Sequence, residues 1–349
     1  MEKICVFCGE KPENKNKEHI LPQWLLKLTG DPNRIVKFGT VNGKTIKFNW
    51  KQFTAPACTK CNDRYANFEA EIKTIIEKIC FKEEINGREA LKVLNWLDKV
   101  RIGLWLNYYF LEQNKGGIIP RLCIDNRSGK KDRFLQIHFL ESETHSKGLN
   151  AFGVETFLFQ YNPSSFALKI NNLLLINGST DFMISENCGF PFPKNIEVIK
   201  NGQLSLSGWV YNRETNLDIY GMNLRKAALT LYQPIQTELT NLFNFYNDSY
   251  LILNCLDRDK KIGNIFLLED NQLKSIYELE KKIKYNSITG NDVSYIGEIV
   301  SQVYQLQINV IKNLKFKQEN RFAREIELNK EYAEFYTKFH EYNNIVDKN

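Results

Sequence analysis

The chain lacks any run approaching the roughly twenty apolar residues of a transmembrane helix. Its opening, Met1-Glu2-Lys3-Ile4-Cys5, has none of the character of a signal peptide. The expectation is therefore a cytoplasmic protein with no membrane partner. No internal repeat, no glycine-rich phosphate loop and no long low-complexity linker is present, which excludes a repeat array and a phosphate-loop nucleotide site. Histidine is scarce: there are four, and His19 is the only one before His138. Any imidazole chemistry in the first third of the chain must use that residue.

What is present is an ordinary globular composition. The 349 residues are 43% hydrophobic and 25% charged, enough for two or three domains and a substantial core. The net charge of +6 is uneven, since residues 1–70 carry ten Lys and two Arg against five Glu and two Asp. Almost the whole excess lies on the segment that would meet a polyanion. A solvated basic face would look the same, so the bias only supports other signals. Of the eight cysteines, Cys80, Cys123, Cys188 and Cys255 are isolated in sequence and read as buried thiols of a reducing compartment.

The other four are paired. Cys5/Cys8 and Cys58/Cys61 are two C-x-x-C knuckles, and between them stand Glu18-His19-Ile20-Leu21-Pro22. Thiolates two residues apart on a tight turn both reach one tetrahedral ion, so two knuckles make a four-thiolate zinc site. A disulfide pair is the bland alternative, disfavoured where no secretory signal precedes it. The helix opening at the second knuckle reads Cys61-Asn62-Asp63-Arg64-Tyr65-Ala66-Asn67.

Over its first seventy or so residues the chain resembles the HNH, or ββα-metal, endonucleases that carry a four-cysteine zinc ribbon. The resemblance implies that His19 is the general base and that Glu18 and Asn62 hold a catalytic Mg2+ or Mn2+. Asn67 would be a third contributor, although helical geometry keeps Asn62 and Asn67 from facing one ion. Cys5, Cys8, Cys58 and Cys61 would hold a structural Zn2+, and Lys15, Lys17 and Arg64 would touch flanking phosphates. The sequence departs from the family twice. Glu18 replaces the usual aspartate, and the middle asparagine has no match, since Gln52 and Phe53 stand there and Asn49 is the nearest candidate.

The chemistry is coherent without the family name. Phosphodiester hydrolysis needs an activated water and a cation on the phosphate oxygens. A neutral imidazole is a suitable base near pH 7, and a carboxylate with an amide oxygen suits a hard divalent ion. Each piece also has a structural reading, because a zinc ribbon alone is more often a structural or binding module.

Along the rest of the chain, Ile35–Val41 and Thr45–Phe48 flank Asn42-Gly43 as a hairpin. Helical spacing runs from Asn62 to Ile79 and over Glu89–Gln113, the latter apolar around most of its circumference. Phe134–Phe139, Thr156–Phe159, Phe166–Ile170 and Leu173–Ile176 read as strands, and Ile196–Ile199 and Leu204–Leu206 as a hairpin about Asn201-Gly202. Asn223–Tyr246 reads as a helix divided at Pro234, and Tyr250–Leu253 and Ile262–Leu268 as strands. Helices are expected over Gln272–Ile283, Asp292–Leu314 and Arg321–Tyr342, the last amphipathic. His138 and His145 lack ligand-spaced partners.

The expected fold is α+β: a zinc-stapled ββα-metal domain over residues 1–80, then an α+β domain over 81–349 with an antiparallel sheet and C-terminal helices at 270–343. The expected function is metal-dependent cleavage of double-stranded DNA, by analogy as the effector of a bacterial anti-phage or restriction system. The larger domain would supply target choice, regulation, or contact with a protein partner or another copy. The alternative is a zinc-ribbon module that binds nucleic acid or protein and cuts nothing.

Overall fold

In the computed structural model the chain is α+β, with antiparallel sheets and two long C-terminal helices. The structure describes residues 3–346 except 14–15, 42–43, 112–113, 115–116, 130–131, 141–147, 199–203, 211–214, 220, 235–255, 258–261, 287–288, 291–292 and 314–321. Outside the described residues lie Lys15, the turns Asn42-Gly43 and Asn201-Gly202, His145, Cys255, the expected strand Tyr250–Leu253 and the latter half of the expected helix Asn223–Tyr246.

The N-terminal segment begins with a three-residue strand β1 (Lys17–His19), followed by helix α1 (Gln23–Leu28). A hairpin of β2 (Ile35–Val41) and β3 (Lys44–Asn49) follows, as the sequence suggests. Strand β4 (Thr54–Pro56) then pairs antiparallel with β1, placing Glu18 opposite Ala55 and His19 opposite Thr54. Helix α2 (Thr59–Cys80) starts three residues before Asn62, with Cys58 as its N-cap. Its apolar stripe of Ile72, Ile75, Ile76 and Ile79 is buried.

Strand β5 (Ile85–Asn86) leads into α3 (Gly87–Phe110). Asn86 and Glu89 form a reciprocal capping box, in which the Asn86 side chain accepts from the Glu89 backbone and Glu89 from the Asn86 N–H. From Val93 onward almost every residue of α3 is buried, including Asp98, Lys99, Arg101 and Asn107. Buried charge needs partners: Asp98 accepts from Arg101 (2.7 Å), Arg133 (2.8 Å) and the Gly129 N–H (2.8 Å). Despite its burial, those two guanidiniums hold the Asp98 carboxyl below the usual range.

A short helix α4 (Ile124–Arg127) precedes an eight-stranded sheet. Its members are β6 (Arg133–Leu140), β7 (Leu149–Phe152), β8 (Ser165–Ile170) and β9 (Leu173–Ser179), with α5 (Phe157–Tyr161) between β7 and β8. Helix α6 (Met183–Asn187), the hairpin β10 (Phe192–Val198) and β11 (Leu204–Val210), and the pair β12 (Asp218–Ile219) and β13 (Met222–Asn223) lie off the sheet. The sheet continues through β14 (Leu229–Gln233); the pair β15 (Leu256–Asp257) and β16 (Ile262–Gly263) stands apart. Next come β17 (Phe266–Glu269) and β18 (Gln272–Ser275). Strand β19 (Lys282–Ile283) pairs back with β5, and β20 (Thr289–Gly290) pairs parallel with β6. Across the main path the order is β18-β17-β14-β6-β9-β8-β7. Helices α7 (Val293–Asn313) and α8 (Ala323–Val346) pack together at the end of the chain.

Three expected elements are otherwise. Thr156–Phe159 is not a strand: Thr156 N-caps α5, its hydroxyl accepting from the Phe159 N–H. Residues 229–233, expected as helix, form β14 between β6 and β17, where non-local pairing overrides helical spacing. Residues 272–283, also expected as helix, carry β18 and β19. Asp270 and Asn271, both left-handed (φ 52° and 58°), make the two-residue turn joining β17 to β18, the geometry Asx residues tolerate.

One hydrophobic cluster runs from Cys5, Phe7 and Ile20 through α2 and α3 to Leu135, Leu168 and Ile283. The β8–β9 turn adds polar ties, Asn171 donating to the carbonyl of Leu28 and Asn172 to that of Cys80. The N-terminal segment and the sheet thus bury their apolar surfaces against the same helix. No described helix is long and apolar enough to cross a membrane.

Candidate metal centre and its surroundings

The first knuckle is a turn fixed at both ends. The Val6 N–H donates to Pro56 O, Gly9 N–H donates to Cys5 O, and Gly9 takes φ +78°, a left-handed conformation that glycine adopts freely. The second knuckle is the start of α2, with Cys58 at the N-cap and Cys61 in the first turn. The Cys58 N–H points at Cys5 Sγ, 3.3 Å away.

All four sulfurs lie within 4.8 Å of one another, Cys5 Sγ 3.7 Å and Cys8 Sγ 3.9 Å from Cys58 Sγ. Those separations are too long for a disulfide, whose sulfurs lie about 2 Å apart. A tetrahedral ion with Zn–S bonds of about 2.3 Å has sulfurs about 3.8 Å apart, so the four cysteines fit zinc in number, spacing and softness. Burial pushes the Cys5 thiol up to about 11 and raises Cys61 as well. Buried thiols of this kind become thiolates when a divalent ion supplies the compensating charge.

Glu18 and His19 leave β1 on opposite faces, as successive residues of a strand must. Glu18 turns inward. Its Oε1 accepts from Lys99 Nζ at 2.6 Å, and the same ammonium donates to Glu69 Oε1 at 2.6 Å. Lys99 also reaches the carbonyls of Ile20 (3.2 Å) and His19 (3.5 Å). Burial raises the Glu69 carboxyl, while Glu69 and Glu18 outweigh desolvation and keep Lys99 charged.

His19 is half-buried. Gln23 Nε2 lies 3.0 Å from His19 Nε2, so an amide N–H donated there leaves Nε2 as the acceptor and the ring proton on Nδ1. Nδ1 is buried with no hydrogen-bond partner. Burial first, then the positive charges of Lys51 and Lys99, lower His19 below 6.5, against an upward pull from Glu18. The ring is neutral at pH 7.

Asn62 is half-buried near the start of α2, and its Oδ1 is buried without a hydrogen-bond partner. Asn62 and Glu69 are seven residues apart, two turns, and therefore share one face of the helix. Lys99 joins that face to β1 through Glu69 and Glu18. Asn67 is exposed. Asn49, nearest in sequence to the missing family asparagine, is committed to its own turn: its Oδ1 accepts from Lys51 N–H and its Nδ2 donates to Asn33 O. Arg64 is paired with Asp125 at 2.6 Å, which also accepts from Tyr65 OH, itself stacked on Phe7. Lys17 is exposed.

The fold thus gathers the four cysteines and sets Asn62 beside them, but it sends the Glu18 carboxylate to Lys99 rather than to the His19 side of the strand. Lys99, Glu69 and Gln23 are the neighbours that sequence spacing does not reveal. Asp98-Lys99-Val100-Arg101, charges inside a helix apolar on all sides, is the signal that could have found Lys99, because such charges must be paired. His138 is fully buried, with Nδ1 2.9 Å from Tyr295 OH, and burial pushes it down to about 3. That agrees with a non-catalytic core histidine. In comparisons with protein families, curated proteins and solved structures, nothing matches this chain.

Proposed function

We propose that the N-terminal segment is an HNH-type endonuclease acting on DNA, with a zinc-filled four-cysteine clasp as its scaffold. The observation that carries the proposal is the buried, unpartnered amide oxygen of Asn62 in the first turn of α2, the helix that begins at the second knuckle, with His19 at the end of β1 as the neutral imidazole. His19 Nε2 takes a proton from the attacking water, and Gln23 holds that nitrogen in its acceptor form until substrate arrives. The zinc is structural, since four thiolates leave no open position.

The catalytic Mg2+ or Mn2+ fits less well. A hard cation wants charged oxygens, and the carboxylate expected to supply them is committed to Lys99, while Asn67 is exposed. Asn62 Oδ1 is the expected ligand oxygen that is buried without a hydrogen-bond partner. Among the described residues only the four cysteines gather into a metal-binding cluster, and no cage of oxygen ligands forms around Asn62. The commitment of Glu18 favours a second reading, a zinc-clasped module that grips nucleic acid through its basic N-terminal segment without cutting.

Plasmid nicking in Mg2+ or Mn2+ separates the two. The wild-type protein should nick, and His19→Ala should lose at least about 100-fold, the usual contribution of a general base. Equal behaviour of the two preparations refutes the enzyme. Salt-dependent binding without cutting establishes the binder. Residues 81–349 supply target choice, regulation or assembly, and by analogy the whole serves in restriction or defence against phage.

A further inference from the structure

We infer that Lys99, borne on α3 and outside the segment that resembles a nuclease, is the positioning residue of the site, and that Glu18 serves as its acceptor rather than as a cation ligand. This rests on the reading of His19 as base. Two independent contacts support it. The first is the ammonium itself, with 0% of the residue exposed. An ammonium has three donors, and here they are taken up by Glu18, Glu69 and the backbone carbonyls of His19 and Ile20 on either side of Ile20. The second is Gly103, one turn along the same face of α3. A Cβ there would stand 3.0 Å from Ile20 Cγ2 and 3.1 Å from Ile20 Cδ1. A side chain there would press on Ile20, so the glycine lets the helix come close to the end of β1 without displacing it.

The strand carrying His19 is only three residues long and pairs with one other short strand. Its ladder alone fixes the ring poorly, because few backbone hydrogen bonds define it. Helix α3 is the rigid element against which β1 is set. A cation claiming Glu18 would leave a buried ammonium with one carboxylate fewer, which the surroundings disfavour. The Glu18–Lys99 bond acts through His19 and touches no substrate.

The experiment uses full-length, zinc-loaded protein. Glu18→Gln keeps an oxygen for Lys99 and should lose only about 10-fold, the low end for a residue that supports another. A carboxylate that ligated the ion directly could not be replaced by an amide at so small a loss. Lys99→Met should lower kcat about 100-fold, the effect of an ångström-scale misplacement of a base, with KM for DNA and zinc stoichiometry unchanged. Amide exchange at Ile20 and across β1 should quicken in Lys99→Met while the middle of α2 stays protected. A drop of Glu18→Gln to the Lys99→Met level, with β1 protection intact, overturns the inference. So does unchanged β1 exchange in Lys99→Met, a result that stands even if wild type proves unable to nick. Should Lys99→Met fail to fold, Glu18→Gln alone decides.

Discussion

His19 is the residue whose environment has the most to say about pH. Its folded pKa lies below 6.5, so the unfolded chain binds this proton more readily. The neutral ring therefore contributes stability that is present above about pH 6.5 and is lost as pH falls through the folded value. The acid limb of a nicking profile should lie below pH 6.5 for the same reason, and an acid limb above 7 would contradict the burial of the ring. At this scale the sequence is legible where partners are close along the chain. The cysteine pairs and the helix start at Asn62 are readable from spacing, whereas His19 and Asn62 are singled out as site residues by the resemblance, and the short strand β1 under His19 is not foreseen. The destination of Glu18 is not, because its partner Lys99 is 81 residues away and the pair has no periodic signature. Lys17, exposed and unburdened, should weaken DNA binding when changed to Ala and flatten the salt slope by about one unit.

At the scale of elements, the helices were readable and the late strands were not. Helices α2, α3, α7 and α8 all stand where helical spacing puts them. Burial follows one stripe in α2 and α7, whereas α3 is buried nearly all round and the large apolar residues Leu328, Tyr332 and Phe335 of α8 are exposed. Strand β14 and the β17–β18 turn escape such reading because a strand's fate depends on neighbours distant in sequence. Where strands meet aromatic rings, glycine sets the limit. A Cβ on Gly178 in β9 would lie 2.2 Å from Cε1 of Phe134 in the adjoining strand. Gly178→Ala should therefore lower the denaturant midpoint by an amount equivalent to about 1–3 kcal/mol, the usual cost of overpacking. Asn86→Ala, which removes half of the α3 capping box, should cost about 1 kcal/mol in the same assay. A loss confined to Gly178→Ala would mean that the cap is dispensable.

On the scale of the whole molecule, the boundary drawn at residue 80 from resemblance cuts through a shared hydrophobic cluster. A fragment ending there would leave the isoleucine face of α2 without α3. It should bind zinc through its four cysteines yet bind a hydrophobic dye and melt without a sharp calorimetric transition. A sharp transition would mean that the clasp suffices. Zinc itself should be measurable at one ion per chain and should disappear in Cys58→Ser. The far end of the molecule carries Leu328, Tyr332 and Phe335 along one side of α8, with Phe335 60% exposed.

The start of α3 has a further consequence. Its first turn is covered by chain that comes much later: Arg88 N–H donates to Leu279 O, Arg88 Nε meets Glu280 192 residues away, and β5 pairs with β19. A ribosome adding 5–20 residues per second would need roughly 10–40 s between making the two halves of that contact. Throughout that interval the nascent polypeptide holds α3 with one end unshielded. Chaperone dependence during translation, rather than difficulty refolding from denaturant, is where this topology should tell.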